Sequence, residues 1–474
     1  MLRKRLKQYL FSASVSPVEL ILFLGFVFLF LAAGSIKFPK EVPFGFLGIC
    51  MAGMIFLLGP IVGFTLYFIT TFFRGLFVPG MPVSLNQIAG VMFVLSWMNW
   101  MLREKVRLPR GREIICLTIL SLYFLINCMA AEDFKEGLFH AWYIGIFYFI
   151  ALALGSLISS SHHFRLFFWI ILVTSAMSAM LGAFEFVTGR DILTKSTALW
   201  MGRVRINGAA PNAIVFAYQL LYAFPLGYCL FSEEKSLAPR FLALGLSLFV
   251  TFVAILTFNR QTILLVGLIY FLSAQLFKNR YAKIFMGAVL LIFLLVSPYI
   301  LHTIWLRLQT IGRFKEDKSL TLRMDGLKVG MQIVRKHPLM GLGLGCYHIL
   351  WWKYLPPGKT KTLQFLKVTP RYPDMGYNQL LSEGGLIGFG LAVSFFILLL
   401  SSLWKKRKQA LALEDRGLVN IYSALLILMI IFLLSSMIQD TFLYVRTWTM
   451  FGFILASMKL IPKPFKSQTS PGQE

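Results

Sequence analysis

Residues 376–408 read "GYNQLLSEGGLIGFGLAVSFFILLLSSLWKKRK". After a polar opening the stretch stays apolar for about the 20 residues that a helix needs to cross a bilayer. It then ends in Lys405, Lys406, Arg407 and Lys408. Both features fit a membrane-spanning helix whose C-terminal end faces the cytoplasm, because basic residues gather in cytoplasmic loops. The rest of the chain repeats this pattern. Over 474 residues it is 58% hydrophobic and only 14% charged, with a mean hydropathy of +0.73. Soluble domains carry roughly 25% charged residues, so an ordinary soluble enzyme is excluded. The expected fold is an all-α polytopic membrane protein with about 12–14 transmembrane helices, running from 18–36 through 283–303 to 442–460. The first stretch lacks a small-residue cleavage signature and is read as a helix rather than a removed signal peptide. The whole of 1–474 is expected to form a single integral-membrane domain.

The formal charge of +26 follows from 46 Lys and Arg against 20 Asp and Glu. In a soluble chain it would point to nucleic acid. Here the cations cluster in short loops, such as Arg103–Arg112 and Lys405–Lys408, where they set orientation and meet anionic lipid. Membrane lipids are therefore expected partners and nucleic acid is not. The same loops place both termini in the cytoplasm. The five cysteines are scattered, with neither metal-ligand spacing nor a disulfide framework.

One segment breaks the pattern. Residues 304–375 form a long loop that the flanking charges place outside the cytoplasm. It is rich in cations, Arg307, Arg323 and Arg371 among them. Two readings stand: a solvated basic loop, or a loop that handles an anion at the outer face. Within it, Leu320, Met324, Leu327, Met331 and Val334 recur at helical spacing. They predict an amphipathic helix lying on the bilayer, N-capped by Ser319 and stopped at Pro338. "GLGLGCY" (341–347) follows as a glycine-rich turn, and "WWKY" (351–354) offers either interfacial anchoring or sugar stacking. No strand precedes the glycines, so they are not a dinucleotide fingerprint.

Other outward turns carry arginines: "GRVRINGAAPNA" with Arg203 and Arg205, "TFNRQT" with Arg260, and "DTFLYVRTW" with Asp440 and Arg446. Arg260 sits in a hairpin too short to leave the membrane boundary. Its guanidinium either snorkels to lipid phosphates or forks onto a diphosphate. Several such arginines around one cleft suit a lipid-linked diphosphate, with the tail between helices.

These stretches resemble the O-antigen ligase and O-antigen polymerase superfamily. "RMDGLKVGMQIVRKHPLMGLGLGCY" (323–347) resembles that family's run from an arginine through an amphipathic helix to a His-Pro-Leu-x-Gly-x-Gly turn. "DMGYNQLLSEGGLIG" (374–388) resembles its next motif. There the ligases have His-Asn, His-Ser or His-Gln, nine residues, then Gly-x-x-Gly. Asp374-Met375, nine residues, then Gly385-Leu386-Ile387-Gly388 keep that spacing. "TFNRQT" is similar to the family's short outer turn. "GRVRINGAAPNA" is similar to its Pro-Asn lead into a helix. The likeness covers roughly 200–400.

The resemblance implies a metal-independent glycosyltransferase of the bacterial cytoplasmic (inner) membrane, with no cofactor. Such an enzyme transfers a glycan from undecaprenyl diphosphate to an acceptor at the periplasmic face. The acceptor is another lipid-linked glycan in a polymerase and lipid A-core in a ligase. By position, Arg260 and Arg323 match the diphosphate-associated arginines. Arg203, Arg205 and Arg307 are candidates by neighbourhood. Asp374 stands where the ligases have their proposed histidine base, which favours the polymerase. An aspartate, ordinarily near pKa ~3.9, is ionised and can accept the acceptor hydroxyl's proton, though it is a weaker base than His. Asp374 is equally suited to cap the helix after it. His337, Tyr377 and Glu383 are candidate substrate contacts, although His337 is also explained by its helix C-terminus and Glu383 as buried polar glue. A flippase of the same lipid would instead concentrate ionisable residues near the midplane.

Overall fold

The computed structural model describes residues 59–72, 85–104, 108–189, 199–200, 203–204, 206–208, 210, 212–277, 318–355, 375–439 and 441–461. The helices, in chain order, are α1 (Pro60–Phe72), α2 (Leu85–Glu104), α3 (Arg112–Met129), α4 (Phe134–Leu157), α5 (Ser161–Thr188), α6 (Ala213–Leu221), α7 (Ala223–Glu233), α8 (Leu237–Leu256), α9 (Arg260–Leu276), α10 (Lys318–Lys336), α11 (Tyr347–Leu350), α12 (Gly376–Ala412), α13 (Arg416–Ser436) and α14 (Val445–Ser457). A two-residue antiparallel ladder pairs β1 (Leu199–Trp200) with β2 (Arg203–Val204).

Seven stretches of the described residues are long and apolar enough to cross a membrane, and α1 and α9 are shorter apolar helices. This is an all-α polytopic membrane protein. α6 and α7 make one of the seven, Ala213–Glu233. Pro225 lacks the N–H that would bond the Leu221 carbonyl, which explains the interruption at Tyr222. The expected spans 18–36 and 283–303 lie outside the described residues. On α3, Ile115, Ile119, Leu122 and Ile126 stand exposed at helical spacing, as a hydrocarbon surrounding requires.

The helices start and stop where local chemistry dictates. Asp133, Ser160, Asn212, Asn259 and Asp415 each cap a helix N-terminus with a side-chain oxygen. Gly189 ends α5 in the left-handed conformation. Small residues set the closest packing. Gly452 of α14 abuts Leu154 of α4, and a Cβ there would come within 2.8 Å of the leucine's own. Phe395, Phe396, Phe432 and Phe451 interlock edge to face or tilted between α12, α13 and α14.

The described helices from α3 onward run alternately between two ends of this bundle. One end is basic and tied by cations. Arg407 Nη2 donates to the Leu276 carbonyl at 2.7 Å, and Lys406 Nζ to that of Ile461 at 3.0 Å. The other end carries the α3–α4 turn, the start of α9, residues 337–355 and the start of α12. α10 is the amphipathic helix expected from its spacing, with two corrections. It already includes Lys318 and Ser319, so Ser319 is not its N-cap. Its protein face is Gly326, Val329, Gly330 and Ile333, whereas Met324 and Met331 of the expected stripe stand exposed. The two glycines let α10 approach α12 closely, where a Cβ on Gly330 would overlap Asn378. Packing selects the flatter face and leaves the larger apolar residues outward.

Candidate functional site

The glycine turn and the start of α12, which read as separate motifs, are one interlocked unit. α12 is broken at Gly385, whose φ of 63° and ψ of −169° only glycine adopts readily. The break opens two helical bonds, Leu386 N–H to Ser382 C=O and Ile387 N–H to Glu383 C=O. Four bonds to the loop replace them: Leu342 N–H to Ser382 C=O at 3.0 Å, Gly343 N–H to Glu383 C=O at 3.0 Å, Leu386 N–H to Pro338 C=O at 2.9 Å and Ile387 N–H to Leu339 C=O at 3.3 Å. Backbone at membrane depth must be satisfied within the protein, and this exchange does so.

α3 completes the clasp. Asn127 Nδ2 donates to the Met340 and Glu383 carbonyls at 2.6 and 3.2 Å, and its Oδ1 accepts the Leu344 N–H at 2.8 Å. Tyr123 OH donates to the Gly384 carbonyl at 2.5 Å. Gly341 and Gly343 have positive φ, and Cβ atoms there would strike Ser382–Glu383 and Ala131 respectively.

Glu383 belongs to this clasp. It is 1% exposed, and its Oε1 accepts the Tyr347 N–H at 3.0 Å, at the start of α11. From this buried position it ties the start of α11 to α12. Tyr377 OH donates to the Leu433 carbonyl of α13 at 2.9 Å, so its hydroxyl is turned into helix packing.

His337 lies in a second cluster. Its Nε2 is 3.0 Å from Tyr354 OH, which donates to Glu132 Oε2 at 3.3 Å, while Lys353 Nζ meets Glu132 Oε1 at 3.0 Å. Burial pushes the Tyr354 hydroxyl up to about 12, with the Glu132 carboxylate adding to the effect, so it remains a donor at neutral pH. Trp351 and Tyr354 are core residues of this outer unit, and Trp352 alone of the three aromatics is exposed. The anchoring or stacking expected of "WWKY" is therefore open to one ring.

Arg323 lies in the second turn of α10, and His337, fourteen residues on, directly follows that helix's last residue, about 20 Å away at 1.5 Å per residue. One phosphate cannot touch both. Instead, the start of α10 converges with other elements. Gly326 C=O accepts from Asn378 Nδ2 at 3.1 Å, so α10 runs beside the first turns of α12. Arg323 is half-buried and lies near the Tyr218 hydroxyl of α6. That hydroxyl donates to Gln261 Oε1 of α9 at 2.6 Å, next to the half-buried Arg260. Gly376 N–H, at the start of α12, donates to the Gln439 carbonyl at 3.0 Å. A small cavity between α6, the end of α13 and the turn into α14 is lined by Tyr218, Tyr222, Gln439, Tyr444 and Arg446 among others, with room for about one water.

The helices α6, α9, α12 and α14 all begin at this end. Each presents its positive dipole end and first-turn N–H groups, an arrangement that favours an anion. α12 and α14 have no side-chain cap. The arginines brought into this region are therefore Arg260, Arg323 and Arg446. Arg203 has a described backbone in β2, while Arg205, Arg307, Asp374 and Asp440 lie outside the described residues.

Residues 244–393 match the family model described as O-antigen ligase. The matched segment runs from α8 through the broken part of α12, and so takes in Arg260, Arg323 and the loop–α12 bonds of the clasp, though not its α3 residues. The resemblance read from the motifs is borne out. The match supports glycan transfer of the O-antigen ligase and polymerase type by a multi-pass membrane protein. None of the curated proteins matches the chain.

Several residues at this end escaped the sequence reading. Asn127 and Tyr123 look like ordinary members of an apolar span. Tyr218 carries no motif. Glu185 did offer a signal, as an acid in an apolar helix. It is 1% exposed, and its Oε2 accepts the Asn207 and Gly208 N–H groups at 2.9 and 2.8 Å, fixing the turn before α6.

Proposed function

We propose that the protein transfers a glycan from undecaprenyl diphosphate to a second lipid-linked glycan at the outer face of the cytoplasmic membrane, as an O-antigen or exopolysaccharide polymerase. The observation that carries this reading is the convergence of Arg260, Arg323 and the helix starts at the end of the bundle opposite the basic one, within the segment matched to O-antigen ligase. In this reading the basic end faces the cytoplasm, as the positive-inside rule asks, and both termini lie there.

The acceptor hydroxyl attacks the anomeric carbon, a new C–O bond forms, and the C–O bond to the diphosphate breaks. Asp374, joined to Met375 at the start of α12, takes the hydroxyl proton as general base. Negative charge gathers on the leaving diphosphate, where Arg260 and Arg323 oppose it. Guanidinium groups fork onto phosphate oxygens, so the reaction proceeds without a metal ion in this reading. Arg203, Arg205 and Arg307 are further candidates to guide the anionic head.

The ligase reading differs only in the acceptor, lipid A-core. Asp374 in place of histidine favours the polymerase. Purified protein reconstituted with an undecaprenyl-diphosphate-linked repeat decides between them. A ladder of chain lengths without lipid A-core is the expected result. Product only with that acceptor makes it a ligase. No transfer under either condition, by folded protein that moves the lipid across the bilayer, makes it a flippase.

A further inference from the structure

Glu383 is 1% exposed, and its Oε1 accepts the Tyr347 N–H at 3.0 Å. Its other oxygen, Oε2, is buried with no hydrogen-bond partner. Among the described residues no Lys, Arg or His forms an ion pair with it. The elements packed around it bring no cation. α3 contributes Asn127 and the Cys128 thiol, and the glycine turn contributes the Cys346 thiol. The face of α10 toward α12 carries no titratable group. α13 and the turn after it meet the start of α12 through Ser436 and Gln439. Two histidines lie on the far side of the turn. His348 Nδ1 donates to the Gly345 carbonyl at 2.6 Å. His140 abuts Gly345, and its Nδ1 donates to the Glu136 carbonyl at 2.9 Å, with Glu136 Oε2 at 3.7 Å.

A carboxylate here would have one hydrogen bond for about four acceptor sites. A group buried without a counter-charge takes a proton instead. The neutral acid fits these surroundings atom for atom. Its carbonyl oxygen accepts the Tyr347 N–H. Its hydroxyl, on Oε2, needs an acceptor. Gln379 lies one turn earlier on the same helix, where side chains are neighbours, and its Oε1 is likewise buried without a partner. One proton between them satisfies both oxygens.

We propose that Glu383 is a positioning residue held as the neutral acid, donating to Gln379 Oε1, and that its ionisation releases the glycine turn from α12. Undocked and wetted, a glutamate ionises near pH ~4.3. The docked acid keeps its proton to higher pH. Docking is therefore strongest in acid, and it is lost as pH rises through the point where the docked group ionises, by about tenfold per pH unit beyond it. The latch itself does not depend on glycan transfer. Its effect on turnover rests on that reading, because Arg323 is carried on the helix leading into the turn.

Full-length protein in lipid nanodiscs is followed by hydrogen exchange, corrected for intrinsic rates, from pH ~5 to ~9, a range that spans values documented for buried glutamates. In the wild type, peptides containing Leu342, Gly343 and Tyr347 should lose protection about tenfold per pH unit above a midpoint. E383Q has the shape of the neutral acid and cannot ionise, so it should keep the turn docked at every pH. Infrared difference spectra, wild type minus E383Q, should show a protonated carboxyl that disappears at the same midpoint. Loss of protection in E383Q at every pH would mean a carboxylate acceptor and overturns the proposal. So does a flat wild-type profile, or a profile that E383Q shares, which would pass the titration to His140, His348 or the thiols. Should E383Q fail to fold, Q379M decides: without the acceptor the midpoint should move to lower pH, and an unchanged midpoint overturns the proposal. Transfer by the wild type should fall with the same midpoint, and transfer by E383Q should not. Transfer that ignores the release overturns the positioning role, whereas absence of transfer at any pH bears on the polymerase reading alone.

Discussion

Replacing Gly385 with alanine tests whether the clasp positions the site. At φ 63° and ψ −169° an alanine is strained by about 1–3 kcal/mol, and its Cβ would overlap the Leu339 carbonyl. Relief requires the loop to lift away from α12. That loses the four loop–helix bonds, each contributing about 1 kcal/mol net. If α12 then heals into a continuous helix, it regains the two bonds between residues 382–383 and 386–387, so the net loss lies between about 2 and 4 kcal/mol. Those bonds are lost on undocking in wild type and variant alike, so only the strain of about 1–3 kcal/mol shifts the equilibrium, and at about 1.4 kcal/mol per tenfold the undocked loop becomes roughly 5- to 140-fold more populated. Hydrogen exchange read by mass spectrometry should report this at peptides containing Leu342 and Gly343, and transfer should fall because Arg323 is carried on the helix leading into this loop. Gly390→Ala is the control: the site is helical and open space surrounds its Cβ, so it should be neutral or slightly stabilising. Unchanged protection of Leu342 and Gly343 in Gly385→Ala would refute the clasp argument. Equal effects from the two alanines would refute it as well, since generic helix chemistry would then suffice.

Three further outcomes follow from the site. Arg323→Ala should lower kcat/KM by about 10- to 150-fold, the loss of one charge-assisted interaction of roughly 1.5–3 kcal/mol, measured with a lipid-linked repeat. A change under threefold would remove Arg323 from the diphosphate site. Asp374→Asn should cut turnover by about 10²–10⁴ with little change in donor binding, and Asp374→His should restore part of it and move the acid limb of the rate profile toward pH ~6.5, the ordinary histidine value. Activity retained in Asp374→Asn leaves that residue as a cap alone. His337→Ala should leave kcat within a few-fold of wild type, because that ring faces Tyr354, about 20 Å along α10 from Arg323. A hundredfold loss would place the chemistry at the other end of the helix.

The alternation of apolar spans and basic loops was legible in the sequence because a bilayer imposes it on every helix separately. Length, hydropathy and the position of cations are local quantities. The stop of α10 just before Pro338 was legible for the same reason, whereas the caps Asn212 and Asn259 were not singled out. The glycine turn and the "GGLIG" stretch could be recognised one at a time. That they exchange hydrogen bonds with each other was not legible, because the bonds join residues forty or more positions apart and depend on a helix broken at Gly385. The protein face of α10 was misread for a related reason: hydrophobicity names the residues that leave water, but the shape of the neighbour decides which of them pack. Arg446 stood in plain view in "FLYVRTW" as a cation beside a span. Only the fold buries it, 8% exposed, beside the Tyr444 ring and at the wall of a small cavity shared with Tyr218 and Tyr222. A sequence fixes which charges a membrane protein must carry, and the packing of its helices decides which of them meet.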